Sequence, residues 1–194
     1  MFNVGKSKLI IAEIDSNGNL INKIENKDIF EQLSDYSFYE AQDFFPNDSG
    51  LAFIHYGPFI GLWGPPVQTY SLDFETGELI NQTKSSAHEE PEGLFPDGQY
   101  AALESNRHYS RNGAIKSDVY FLKLDGTGKQ AYRLSYFTDK QGATEEWGNN
   151  PNVSPEECRV AYSKGYGKFG IKHSTGKLGG VFIAEFHECS CTTE

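Results

Sequence analysis

Apolar residues along this chain come in short β-rich runs, cut by polar turns rich in glycine, proline, asparagine and aspartate. Lys8-Leu-Ile-Ile-Ala-Glu-Ile14 and Leu20-Ile-Asn-Lys-Ile24 flank Asp15-Ser-Asn-Gly-Asn19. An Asn-Gly turn accepts the positive φ of a tight reversal, so residues 8–24 are expected to form a hairpin. Further strands are expected at 51–56, 69–74 and 78–82, with turns at Pro46-Asn-Asp-Ser-Gly50 and Glu75-Thr-Gly77. The same order returns as strands at 99–104, 117–124 and 131–134, with turns at Pro96-Asp-Gly98 and Asp125-Gly-Thr-Gly128. It returns once more as strands at 159–163 and 181–186, separated by a glycine- and lysine-rich stretch, 165–180, that reads as a loop. Residues 28–33 read as a helical turn or a connecting loop, and Gly57 to Pro66 is too rich in glycine and proline for a central strand.

The runs are organised as repeats. Glu90-Pro-Glu-Gly-Leu-Phe-Pro-Asp-Gly-Gln-Tyr-Ala-Ala-Leu-Glu-Ser-Asn-Arg107 has weaker copies at 40–55 and 149–163. With Pro46, Pro96 and Pro155 as equivalents, the periods are 50 and 59 residues, long for a four-stranded propeller blade unless loops have grown. The units run 39–84, 90–136 and 149–186, after the hairpin at 8–24 and before a tail at 187–194. The expected fold class is all-β: propeller blades built as four-stranded antiparallel meanders, two complete and a third of three strands.

The central copy resembles the TolB-type WD40-like (PD40) propeller repeat. The resemblance rests on Pro91, Phe95-Pro-Asp-Gly98, Ala101-Ala-Leu103, Ser105-Asn-Arg107, Ser117-Asp-Val-Tyr120 and Asp125-Gly126, and extends by spacing over most of residues 39–186. It implies structural roles for Pro96, Asp97, Gly98, Arg107, Asp118, Asp125, Gly126 and Pro155, with Arg107 and Asp118 joining the ends of neighbouring strands. Such repeats occur in binding proteins and beside catalytic domains alike, so the resemblance implies architecture better than activity. A closed propeller needs at least about four blades. The sequence is therefore expected to be part of a longer protein, or to be closed by self-association with another chain.

Composition narrows the function classes. Twenty glycines, eleven tyrosines and fourteen phenylalanines against one methionine suit a turn-dense β chain. Acidic residues outnumber basic ones 27 to 17, a net charge of −10 with no basic run, which argues against nucleic-acid binding. No stretch approaches the roughly 18 apolar residues of a membrane span. No signal-peptide core follows Met1; the expected compartment is cytoplasmic if Met1 is the true start, and periplasmic or secreted if a leader is missing. Cys158 reads as a small buried hydrophobe, and Cys189-Ser-Cys191 beside His187 does not complete a four-ligand zinc set. No cofactor is expected.

No Gly-x-Ser-x-Gly elbow or readable triad is present, so no catalytic residue is assigned. The candidate binding residues form two groups. Phe59 and Trp63 in the aromatic loop, with Trp147 in the turn Trp147-Gly-Asn-Asn150, suit recognition of a protein or peptide partner. Glu40 and Gln42, Glu90 and Glu92, and Asn149 and Asn150 lead into the innermost strands, where their side chains could converge on a cation or a partner's peptide. His88, Glu90 and His108 supply metal-ligand atoms at the spacing of no named motif, so no metal site is assigned. The competing class is an enzyme-associated propeller: a carbohydrate lyase like the oligogalacturonate lyases, for which His108 is the candidate by resemblance, or the gate of a prolyl-oligopeptidase-like peptidase.

Overall fold

A computed structural model describes residues 10–24, 38–56, 66–108, 117–139, 145–156, 159–170 and 173–186. They form thirteen strands in four antiparallel sheets. β1 (Ile11–Ile14) and β2 (Leu20–Ile24) are the hairpin. Its turn is closed by Asp15, whose Oδ1 accepts the N–H groups of Asn17 and Asn19, each at 2.8 Å. The first four-stranded sheet is β3 (Phe38–Phe44), β4 (Gly50–Tyr56), β5 (Val67–Asp73) and β6 (Leu79–Asn81). The second is β7 (Glu89–Leu94), β8 (Tyr100–Ser105), β9 (Asp118–Lys123) and β10 (Ala131–Arg133). The third holds β11 (Glu145–Val153), β12 (Arg159–Gly170) and β13 (His173–Glu185). Within each sheet the spatial order follows the chain order, so each is a meander, and together they are blades of an open, incomplete propeller.

Strand alternation explains how the blades stack. Leu51, Phe53 and Leu72 lie on one face of the first sheet with Tyr39, where Ile11 of the hairpin covers them. The alternate residue Ala52 meets Leu94 and Ala101 of the second sheet. On the far face of the second sheet, Val119 packs beside Gly148 of β11. Alanines at the joint let backbones approach, while Phe53, Ile54, Leu103 and Leu122 are fully buried. Each side chain of that size contributes about 1.5–3 kcal/mol by leaving water. β7 thereby packs on β3, β4 and β5, and β11 on β7, β8 and β9.

The turn glycines serve these joints. Gly98 takes φ +69, and a Cβ there would reach Pro46 Cδ of the preceding turn at 2.8 Å. Gly126 donates its N–H to Gln82 Oε1 at 2.8 Å, and a Cβ on Gly128 would overlap the carbonyl of Thr83. Asp97 Oδ1 accepts the Gln99 N–H at 2.8 Å, and Asp125 Oδ1 that of Thr127 at 2.9 Å. Pro96 and Pro155 sit exposed in their turns, the latter closed by a 2.8 Å bond from Ser154 N–H to the Arg159 carbonyl.

Two expectations need correction. Residues 165–180 are not a loop: β12 and β13 stay paired from Arg159 opposite Glu185 to Gly170 opposite His173, with one irregularity at Lys164/Gly165. Trp147-Gly-Asn-Asn150 is likewise not a turn but the middle of β11. The two errors share a cause. Trp147 lies opposite Gly165, and its ring occupies the space that a Cβ on Gly165 would take. The indole supplies the packing the glycine lacks, so glycine no longer breaks the strand. The expected helical turn at 28–33, Phe59 and Trp63, Cys158, His187, Cys189 and Cys191 lie outside the described residues.

One feature recurs in all three blades. Pairing of the first strand with the second slips between Ala41 and Asp43, between Pro91 and Gly93, and between Asn149 and Asn152. Counted from the turn prolines these bulges coincide, and they fall at Gln42, at Glu92 and at Asn150-Pro151. Asn150 adopts φ 51 there.

Candidate functional site

The bulge in β7 changes what faces what. Without it, Glu90 would stand opposite Ser105; with it, Glu90 stands directly opposite Glu104 of β8. Like charges in that position repel, so the pair needs a counter-charge. His88 supplies one: its Nε2 lies 3.2 Å from Glu90 Oε2 and 3.2 Å from Glu104 Oε1. The histidine is fixed through its main chain, donating its N–H to Asn106 Oδ1 at 3.0 Å and accepting from Asn106 N–H at 3.2 Å. It also bridges Val67 of β5. The three side chains are 13–15% exposed, a largely desolvated cluster.

Further groups add to its field. Glu40 of β3 shares a hydrogen bond with Tyr56 at the end of β4, and Glu92 occupies the bulge itself. Burial first, then the charges of Glu90, Glu104 and Glu40, push the Glu92 carboxyl up to about 7. Burial and the same three glutamates hold the Tyr56 phenol well above its ordinary range. For His88, burial opposes the charge, but hydrogen bonds and Coulombic attraction from Glu104 and Glu90 outweigh it and raise the imidazole to about 9. The arrangement is a wall of four carboxylates holding one imidazolium, suited to attracting cations.

Both shifts make the folded state hold protons more tightly, so each costs stability as pH rises. Glu92 acts between 4.5 and about 7, and His88 between 6.5 and about 9. Glu92→Gln is expected to flatten the lower part of this decline and to be more stable than the parent near neutrality. Urea unfolding across that pH range measures it, and parallel profiles for the two proteins would refute the assignment.

The remaining sequence candidates separate from this wall. Arg107 and Asp118 do not pair with each other. Glu89 and Asp118, both fully buried, stand on either side of Ser105 in register, and each has its own arginine. Arg107 Nε donates to Glu89 Oε1 at 2.5 Å; Nη2 is equally close but off hydrogen-bonding geometry, so Nε carries the bond. Asp118 is already saturated by Arg133 and neighbouring donors. His108 belongs to that second cluster rather than to His88: Tyr120 Oη lies 2.8 Å from its Nδ1, and Thr138 Oγ1 lies 2.6 Å from its Nε2. Burial and then the Arg133 charge lower its affinity for a proton. Asn149 and Trp147 lie on β11, the tryptophan turned onto Gly165.

Sequence reasoning missed Glu104, Glu89, Arg133, Ser135 and Thr138. Glu104 alone had a signal, as a charged residue inside an apolar strand, Ala101-Ala-Leu-Glu104.

No protein-family model and no curated protein matches the chain. Among solved structures it is similar to TolB from Acinetobacter baumannii, with 17% identity and a TM-score of 0.47 over 83% of this chain and 35% of that one. A putative TolB from Agrobacterium tumefaciens matches at 14% identity and a TM-score of 0.45, over 74% and 50% of the two chains. A protein from Lactobacillus plantarum matches at 17% identity and 0.39, over 87% and 50%. The chain thus spans between about a third and a half of their lengths. No helix among the described residues is long and apolar enough to cross a membrane.

Proposed function

We propose that this chain forms TolB-type, PD40-like propeller blades that act as a binding module, with the acidic wall at β3, β7 and β8 receiving a cationic segment of a protein or peptide partner. The convergence of Glu40, Glu90, Glu92 and Glu104 carries the reading. Four carboxylates drawn together against their own repulsion, on the first strands β3 and β7 that pack side by side and on the neighbouring β8, are a costly arrangement that a bound cation repays. The repeat phrase and the meander sheets support the propeller assignment. Exposed Ile14, Leu20 and Ile21 on the hairpin, and Val181 and Ile183 on β13, support further blades or a second copy meeting the end sheets.

Anisotropy of a labelled Lys/Arg-rich decapeptide tests the reading. At about pH 8, where Glu92 is ionised, binding is expected to weaken as salt is raised and to fall about tenfold in Glu40→Gln/Glu92→Gln, since each lost charge contact at a partly desolvated surface costs up to about 1 kcal/mol. Equal binding of an acidic peptide, or an unchanged affinity in the double variant, would overturn it.

A further inference from the structure

We infer that His88, Glu90 and Glu104 form a binding site for one first-row divalent cation, of the Mn²⁺ or Zn²⁺ class. The inference rests on the acidic wall proposed above for its setting, and names an ion as the occupant of its most buried part.

Geometry carries it. One oxygen from each carboxylate and the imidazole nitrogen lie within 4.8 Å of one another. At a metal–ligand length of about 2.1 Å, the imidazole nitrogen and either carboxylate oxygen, 3.2 Å apart, subtend about 100° at the ion, between the octahedral and tetrahedral angles. The donors come from a rigid frame. Glu90 and Glu104 are fixed opposite each other by the β7–β8 ladder, and His88 is locked by Asn106 and by its bridge to Val67. The like-charge register of Glu90 and Glu104 is set by the backbone bulge, independently of how the side chains turn. An ion seated at that point draws on His88 Nε2 and on both carboxylates at once.

The donor set selects the ion. One nitrogen and two carboxylate oxygens, with no thiolate, suit first-row ions that accept both carboxylate and imidazole, whereas calcium sites are built from oxygen alone. Water completes the coordination. Glu40 and Glu92 stand outside the three-ligand set, so the wall keeps acidic groups with which to attract the cationic partner.

Titration of the whole chain with Mn²⁺, followed by electron paramagnetic resonance of the free ion, tests the site without any peptide. Manganese also avoids the thiols of Cys189 and Cys191. The expected result is saturable uptake of one ion per chain, weakened about tenfold or more in Glu104→Gln and in His88→Gln, and unchanged within about threefold in Glu185→Gln, an exposed glutamate on β13 outside the wall. Circular dichroism identifies any variant that has unfolded, and the isosteric Glu90→Gln then takes its place. Absence of saturable uptake, or uptake retained in Glu104→Gln/His88→Gln, overturns the metal site. Peptide binding measured in chelator stands or falls separately, so failure of the ion leaves the cationic-partner reading intact.

Discussion

Replacing Arg107 with alanine is expected to destabilise the fold by about 3–5 kcal/mol, the cost of stranding a buried carboxylate. Glu89 is fully buried, and besides Arg107 its oxygens meet the hydroxyls of Ser85 at 2.6 Å and Ser105 at 3.2 Å. Two neutral donors cannot hold an ionised carboxylate in that setting, so the loss falls on Glu89 rather than on the missing guanidinium. Arg107 also reaches the Gly128 carbonyl at 3.4 Å, and Gly128 is pressed against Thr83, just past the last strand of the first sheet. The guanidinium therefore ties the end of β8 to the turn that seats one blade on the next. Arg107→Lys is expected to recover little, because an ammonium cannot present the planar fork. Glu89→Gln combined with Arg107→Ala is expected to recover a substantial part, since the stranded charge is gone. Urea midpoints for the single and double variants measure both. A single variant within about 1 kcal/mol of the parent would refute the account, as would a double variant worse than the sum of the singles.

The blades and three of the wall's four glutamates were legible in the sequence, whereas the side-chain pairings were not, for reasons that lie in particular residues. Turn chemistry is local: Asp15 to Asn19, Pro96-Asp-Gly98 and Asp125 to Gly128 announce their reversals through side chains that bond their own backbone, and the strands follow by alternation. Partner choice is not local. Arg107 lies between two carboxylates that flank Ser105, and which one it takes depends on Arg133, Ser135 and Thr138 having already claimed Asp118. The bulge at Glu92 is equally silent, yet it decides that Glu104 faces Glu90. Gly165 shows the opposite failure. Its local signal says loop, and a tryptophan on the neighbouring strand overrides it.

Asp118→Ala is expected to cost about 1–3 kcal/mol for each buried donor it leaves unsatisfied, and to loosen one end of the molecule first. The Asp118 carboxylate accepts from Ser135 Oγ at 2.6 Å, Thr138 Oγ1 at 2.5 Å, Phe137 N–H at 2.9 Å and Arg133 Nη2 at 2.6 Å. Removing it leaves Arg133 with Asp139 at 2.7 Å, so that charge is not stranded; the damage comes from donors left facing a void. Asp118→Asn is expected to retain part of the stability, because a carboxamide keeps the shape but offers one accepting oxygen instead of two. The position of the cluster gives the effect a direction. Ser135 Oγ accepts the Val119 N–H at 3.0 Å, and adjacent Ser117 exchanges bonds of 2.8 and 2.9 Å with Gly148 of β11. Asp118 therefore sets the edge on which the third sheet is seated, while Glu89 sets the joint toward the first. Amide hydrogen exchange should show β11 and β12 losing protection in Asp118→Ala before β4 and β5 do, and Arg107→Ala should show the reverse order. Identical exchange patterns in the two variants would mean that the buried carboxylates stabilise the stack as a whole instead of guarding separate joints.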